Sequence, residues 1–349
     1  MGQLLIYGSY GYTGELVVAE AKARGLAPIL AGRRAEALQA QAEPLGLPWR
    51  AADLTREALD TALAGVDVVL HCAGPFSRTA RPMIEACIRN KANYLDITGE
   101  IAVFEQAASY GEKARAAGVT LMPGVGFDVV PSDCLAAHLK RRLPDANHLA
   151  LGFQSTGRTS HGTATTMVEN LDAGGAVRRG GKIVQVPSAY LSRTIDFGLG
   201  PTGAVTIPWG DVSTAYHSTG IADIEVFLAL PAGARFGLHL SRYLRPILAA
   251  PFVKQRLQAK IDAAPRGPTP EQRERSRSYL WGEVTNAAGE RRVSRLQAPD
   301  GYTLTAAAGV AIAEAALAGK LPPGFQTPSS ALGADFVLTL PGVQRSDEP

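Results

Sequence analysis

Residues 4–25 read LLIYGSYGYTGELVVAEAKARG, and this stretch decides the fold. The apolar run Leu4-Leu5-Ile6-Tyr7 is rich in strand formers and ends where the glycines begin. Gly8, Gly11 and Gly14 follow, and a helical pattern opens at about Gly11. The order strand, glycine loop, helix puts backbone N–H groups and a helix N-terminus at one spot, suited to a diphosphate. In that motif Gly8 serves the tight turn, Gly11 lets the backbone approach the phosphates, and Gly14 lets helix and strand pack closely. The candidate cradle is thus Gly8, Ser9, Tyr10, Gly11, Tyr12, Thr13 and Gly14. A glycine triplet alone is a weak signal; a strand pattern before it and a helix pattern after it supply the context the motif requires. Gly11→Val is expected to block the diphosphate, and Gly8→Ala to be milder if the φ of Gly8 is negative.

The second apolar run, Pro28-Ile29-Leu30-Ala31, ends in Gly32-Arg33-Arg34. This is where a dinucleotide-binding fold meets the adenosine ribose. Folds selecting NAD place an acidic residue there for the 2′-hydroxyl, and arginines accommodate a 2′-phosphate. No Asp or Glu stands at this tip, and a guanidinium can bind phosphate bidentately while stacking on adenine. The reading is NADP(H), held in part by Gly32, Arg33 and Arg34; the competing reading is two solvated charges after a strand.

Composition bounds the class. The 349 residues suffice for two domains, and a net charge of +3 is too small to argue for nucleic acid. The three cysteines, Cys72, Cys87 and Cys134, have no paired spacing, which predicts neither a disulfide framework nor a metal site and suits a reducing, cytoplasmic compartment. The first strand begins at once, leaving no room for a signal peptide, and no apolar run reaches the ~18 residues needed to span a bilayer.

Through residue 130 the pattern alternates. Helices are expected over 36–43, 56–64, 79–90 and 102–117, and strands over 49–52, 66–72, 93–97 and 119–123. The expected class is α/β: an N-terminal Rossmann domain with a doubly wound, mostly parallel sheet, then a mixed α+β second domain. The boundaries are 1–131 for the NADP-binding domain and 132–302 for a substrate and dimerisation domain. A C-terminal helical segment, 303–343, returns to the Rossmann domain.

Right-handed crossovers bring the loops after the strands to one sheet edge, where ligands bind. Asp53-Leu54 could reach the adenine, or Asp53 could cap the helix that starts near Arg56. Cys72-Ala73-Gly74-Pro75-Phe76 offers small residues where a flat ring must pass. Tyr94-Leu95-Asp96-Ile97-Thr98-Gly99-Glu100 and the loop 123–133 place carboxylates beside glycines near the nicotinamide end. Tyr94, Asp96 and Asp128 are the candidate catalytic residues; capping is the competing role for Asp96 and Glu100, and holding the Gly124–Gly126 turn for Asp128. Ser132 reads as the N-cap of a helix over 133–142.

The set GSYGYTG, AGRR, CAGPF, YLDITGE and PGVGFDVVPSD, in this order and spacing, resembles the saccharopine dehydrogenase-like oxidoreductases, in particular the branch with the trans-acting enoyl reductases of mycobacteria. Residues 157–165 are similar to that branch's S-x-G-T segment, and 328–333 to its closing T-P-x-x-A-L-G stretch. The resemblance implies an NADP-type Rossmann domain, a mixed second domain and hydride transfer, without implying saccharopine as substrate.

In the second half, strands are expected over 149–154, 182–187, 203–207, 221–230, 278–286 and 291–297, with few helices. The loop 155–163, with Arg158, Thr159 and His161, leads into a helix over 161–171 and could hold a carboxylate or phosphate, or simply connect and cap. His161 has no visible partner and stays outside the catalytic set. Residues 235–248 read as a basic amphipathic helix, with Phe236, Leu240, Tyr243 and Ile247 on one face and Arg235, His239, Arg242 and Arg245 on another. Packing on its own sheet or in a homodimer is the favoured reading, and peripheral contact with an anionic membrane the other. Residues 264–278 read as a mobile loop and 344–349 as frayed. The expected chemistry is hydride transfer between nicotinamide C4 and a C=N, C=O or C=C carbon of a small molecule, in a dry cleft between the domains. A non-catalytic NADP(H)-binding sensor or scaffold is the alternative.

Overall fold

The computed structural model describes residues 2–157, 160–169, 172–244 and 248–348. The chain divides into two compact units: residues up to Val130 with Tyr302–Phe336, and Pro131–Gly301 with Val337 onward. The segment expected as one C-terminal piece over 303–343 is thus shared, its residues from Val337 belonging to the second unit.

The first unit is built on a seven-stranded sheet of β1 (Leu4–Tyr7), β2 (Ile29–Gly32), β3 (Trp49–Ala51), β4 (Val68–His71), β5 (Asn93–Asp96), β6 (Thr120–Met122) and a distant strand, β15 (Gly324–Phe325). The order is β15-β6-β5-β4-β1-β2-β3, and every pairing is parallel. All four residues of β1, β2 and β4 are buried, as a parallel sheet covered on both faces demands. The order reverses between β1 and β4, so the loops after these two strands diverge and leave a crevice at their carboxyl ends.

Helices Tyr12–Ala23, Ala35–Ala42, Arg56–Ala62 and Phe76–Asn90 follow the strands, the last starting three residues earlier than expected. The single helix expected over 102–117 is two, Ile101–Ser109 and Gly111–Ala117. The break lets β15 approach: a Cβ at Gly111 would stand 3.3 Å from that of Phe325. The helix Gly301–Leu317 is apolar along most of its length and lies with Gly309 over Leu70 of β4. Glu314 on this helix pairs with Arg24, just past the first helix, at 3.0 Å.

The second unit is a mixed sheet of β7 (His148–Ser155), β8 (Gly175–Arg179), β9 (Lys182–Val186), β10 (Ser192–Asp196), β11 (Pro201–Thr206), β12 (Asp223–Ala229), β13 (Arg277–Thr285), β14 (Arg291–Pro299) and β16 (Gln344–Asp347). Its main order is β10-β11-β12-β7-β13-β14-β16, with β8 between β12 and β9. Only β12 and β7 run parallel. Helix Val130–Arg142 packs Leu135 and Leu139 on Gly282 of β13.

Three expectations are corrected here. Residues 264–278 hold a helix, Pro270–Arg275, started by a reciprocal capping box between Thr269 and Gln272. Residues 344–347 are an edge strand, not a frayed end: Asp347 accepts from Ser294 Oγ at 2.6 Å and meets His138 Nε2 at 2.9 Å. The basic amphipathic helix is Ala232–Ser241, and no residue along it is fully buried. Phe236, Leu240 and Tyr243 are 70%, 44% and 78% exposed; Arg245 and Ile247 lie outside the described residues, as do Arg158, Thr159 and Leu171.

The Asp347 contacts generate a prediction. Asp347→Ala should lower the unfolding free energy by about 1 kcal/mol, modest because the carboxylate is partly exposed, as read from urea denaturation. An unchanged midpoint would mean that the Asp347 side-chain contacts add nothing measurable to holding β16.

Candidate functional site

The glycine loop lies at the carboxyl end of β1. Gly8 N–H donates to Ala31 O at 2.7 Å, so the chain turns as it leaves the sheet. The turn needs φ +83° at Gly8, and a Cβ there would stand 2.8 Å from Ala73 Cβ, on the loop after β4. Gly8→Ala is therefore strained and crowded at once, which overturns the expectation that it is the milder change. Gly11 caps the first helix in an extended conformation, and a Cβ there would meet only Gly8 O, at 3.1 Å. A Cβ at Gly14 would collide with Gly8 O, so helix and turn can approach only around glycine. Ser9 is fully buried and exchanges two hydrogen bonds with Gln41, at 2.7 and 2.8 Å. Tyr12 meets Tyr302 edge to face, and Thr13 is half-buried in the first turn.

Tyr10 joins this loop to the end of β2. Its hydroxyl accepts from the N–H groups of Arg33 and Arg34 at 3.2 and 3.4 Å, and its ring lies under the Arg34 guanidinium at 4.8 Å. Gly32 accommodates the ring, since a Cβ there would stand 2.7 Å from it. Both arginines are exposed beside the start of helix Ala35–Ala42. They thus present two cations and an aromatic platform to an anion and a flat base. Asp53 is turned to its own chain: it accepts from Thr55 N and Oγ1 at 2.9 and 2.6 Å, and the Thr55 hydroxyl holds its carboxyl below the usual range. Leu54 is half-buried against the core beside it.

The loop after β4 is braced from beneath by His71 and Thr79. Thr79 Oγ1 donates to Ala73 O at 2.8 Å and contacts His71 Nε2 at 3.0 Å. His71 is fully buried, and burial pushes its imidazole down to about 3, so it is neutral. Burial likewise pushes the Cys72 thiol up to about 12. Ala73 and Pro75 are half-buried, Gly74 is exposed, and Phe76 closes on the His71 ring at 5.3 Å. Glu100, reaching over from the loop after β5, accepts from Phe76 N and Ser77 N at 2.8 and 3.0 Å, capping that helix.

Tyr94 and Asp96 are fully buried. Tyr94 O–H donates to Asp96 Oδ2 at 2.5 Å, and Thr98 N–H and Gly124 N–H donate to Oδ1, each at 2.9 Å. Burial pushes Asp96 up to about 6 against these hydrogen bonds, and pushes the Tyr94 phenol well above its ordinary value. Neither side chain reaches solvent, a placement that differs from the one expected for proton donors. Asp128 sits differently. Its carboxylate lies against Gly99, where a Cβ would stand 2.8 Å from Oδ2. It keeps some exposed surface, yet its surroundings are closed enough that burial pushes its carboxyl up to about 7. The preceding residue, Phe127, donates its N–H to Thr305 Oγ1 at 2.9 Å.

The structure therefore brings the loops after β1, β4, β5 and β6 to one sheet edge, and Arg33-Arg34 to the neighbouring corner. Sequence reasoning missed Gln41, His71, Thr79 and Thr305, which brace that edge. His71, adjoining Cys72, was in plain view, but a neutral buried imidazole leaves no spacing signal.

Two outcomes are expected. Gly8→Ala should lower stability by about 1–3 kcal/mol, measured by denaturant unfolding. The second concerns pH: Asp128 titrates at about 7 when folded against an ordinary value of 3.8, so the folded chain binds the extra proton between these values. Stability contributed by this group is present at low pH and is lost as pH rises from about 4 to about 7. Asp128→Asn should flatten the stability–pH curve over that interval, and an unchanged slope would contradict this.

Comparison with known proteins places the chain. The family model described as the saccharopine dehydrogenase NADP binding domain matches residues 4–122. A human saccharopine dehydrogenase-like oxidoreductase is 30% identical over 161 residues, covering 40% of this chain and 38% of that protein. A trans-acting enoyl reductase of Mycobacterium leprae is 34% identical over 149 residues, covering 40% of this chain and 36% of that protein. The aligned part is thus well under half the length of these relatives. Apo saccharopine dehydrogenase (L-Glu forming) from Saccharomyces cerevisiae shares the fold over the whole of both chains, with a TM-score of 0.67 at 15% identity. Residues 4–122 thus match a saccharopine dehydrogenase NADP binding domain, and the chain shares its fold with saccharopine dehydrogenase.

Proposed function

We propose that this chain is an NADP(H)-dependent oxidoreductase acting on a C=N, C=O or C=C bond of a small molecule. The observation that carries the reading is the meeting, at one sheet edge, of a glycine loop, a small-residue loop and a raised carboxyl group. The cradle suits a dinucleotide: Gly11 opens the first helix without a side chain, packed close to Gly8 O, and Tyr10 with Arg34 forms a platform one strand away. In this reading Gly8–Gly14 hold the diphosphate through backbone N–H groups, and Arg33 and Arg34 hold the 2′-phosphate. Leu54 lines the adenine side. Asp53 acts there only through its turn with Thr55. Cys72–Phe76 leave room for the nicotinamide ring, with Cys72 as a neutral thiol.

When bound, NADP(H) supplies or accepts the hydride. Asp128 holds a proton on its carboxyl near neutral pH, and it is the group we assign to proton transfer for a carbonyl or enoyl substrate. For an iminium, which needs little proton chemistry, the same carboxyl would bind the cationic nitrogen. Tyr94 and Asp96 act through others: they fix the loop backbones that carry Gly99 and Gly124.

Arg33→Ala with Arg34→Ala should weaken NADPH binding by roughly ten- to a hundredfold, the worth of charge-assisted hydrogen bonds of ~1.5–3 kcal/mol, and leave NADH almost unaffected. Equal affinity of the unmodified protein for NADPH and NADH would defeat this assignment. NADPH oxidation should be screened with imines, ketones, enoyl thioesters, and 2-oxo acids supplied with amino acids. With the active substrate, Asp128→Asn should lower turnover about a hundredfold at unchanged NADPH affinity. Unchanged turnover would reject the proton-transfer role.

A further inference from the structure

Helix Ala232–Ser241 turns the wrong side to its own protein. Its polar face is the anchored one. The Arg235 guanidinium lies against Gly203 of β11, where a Cβ would collide with it. His239 Nε2 meets Ser192 Oγ of β10 at 3.2 Å. Just past the helix, Arg242 donates to the carbonyls of Ser188 and Ala189 at 3.1 and 2.7 Å. The opposite face, Phe236, Leu240 and Tyr243 at helical spacing, is left exposed. An ordinary surface helix does the reverse. Nine residues after Tyr243, Phe252 is 62% exposed and begins a second outward stripe, Phe252, Arg256 and Lys260, on helix Pro251–Asp262. The other side of that helix is used internally, with Lys254 on Asp172 and Gln258 on Thr165.

Charge decides what covers these aromatics. Residues 232–266 contain seven Lys or Arg (Arg235, Arg242, Arg245, Lys254, Arg256, Lys260 and Arg266) against one acid, Asp262, and Arg256, Lys260 and Arg266 among the described ones are exposed. A second copy docking here by two-fold symmetry would set this cationic stretch against itself. An anionic surface that also accepts aromatic side chains satisfies both features. We propose that segment 232–266 docks peripherally on an anionic lipid bilayer, with Phe236, Leu240, Tyr243 and Phe252 entering the headgroup region and Arg256 and Lys260 meeting lipid phosphates. Among the described residues no helix is long and apolar enough to cross a membrane, so the contact lies on the bilayer and does not span it.

The test is co-sedimentation of the full chain with phosphatidylcholine vesicles, with and without about a third phosphatidylglycerol. Binding is expected only to the anionic vesicles and should weaken as salt is raised. Phe236→Ser with Tyr243→Ser should reduce it roughly tenfold or more, with melting temperature and NADPH affinity unchanged. Arg256→Glu with Lys260→Glu reverses two exposed charges, and should abolish the preference for anionic lipid even if the first variant folds poorly. No binding to either vesicle, or equal binding to both, overturns the proposal. So does a dimer in solution that the Phe236→Ser/Tyr243→Ser variant dissociates, since the face is then a self-contact.

Discussion

One buried carboxylate organises the edge of the nucleotide sheet. Asp96, at the end of β5, takes hydrogen bonds from the N–H groups of Thr98 and Gly124 and from the Tyr94 hydroxyl. Water is excluded, so the desolvation of the charged form is offset only by these three donors. Two successive strand-end loops are thereby locked to one atom group. Gly124 is held at the mouth of β6, Gly99 is brought against Asp128, and Phe127 meets Thr305. A shift of Asp96 would move all of these together.

The acids around this edge separate into two kinds by what they bind. Asp53, Asp96 and Glu100 spend their oxygens on nearby backbone N–H groups: Thr55, Thr98 with Gly124, and Phe76 with Ser77. They solve the problem every strand-to-helix junction poses, of N–H groups with no partner inside the element. Asp128 lies against Gly99, and burial pushes its carboxyl up to about 7.

Much of the first unit was legible in the sequence because parallel strands buried on both faces are written as short continuous apolar runs between helical stretches. The glycine loop was legible for a related reason: a tight backbone turn demands particular residue types. Burial depth has no such signature. Tyr94 and Asp96 look like proton donors in a list of residues and are enclosed in the fold. Partners far along the chain were also invisible, as with Ser9 and Gln41 or Phe127 and Thr305. In the second unit, β8, β10 and β16 were missed because edge and connecting strands mix charged and apolar residues without clean alternation. Tertiary pairing, not local pattern, makes them strands.

The outermost strand of the nucleotide sheet comes from the far end of the chain. Gly324-Phe325 pairs in parallel with Thr120-Leu121, and Thr120 Oγ1 donates to Pro322 O at 2.8 Å. During synthesis, β6 therefore emerges about two hundred residues before its neighbour exists. Throughout that interval its N–H and C=O groups form an open edge, the kind that recruits strands from other molecules. That edge of β6, whose other side pairs with β5, is covered only once residues 324–325 have been made. Fragments ending near residue 130, however well they carry the glycine loop, would inherit that sticky border.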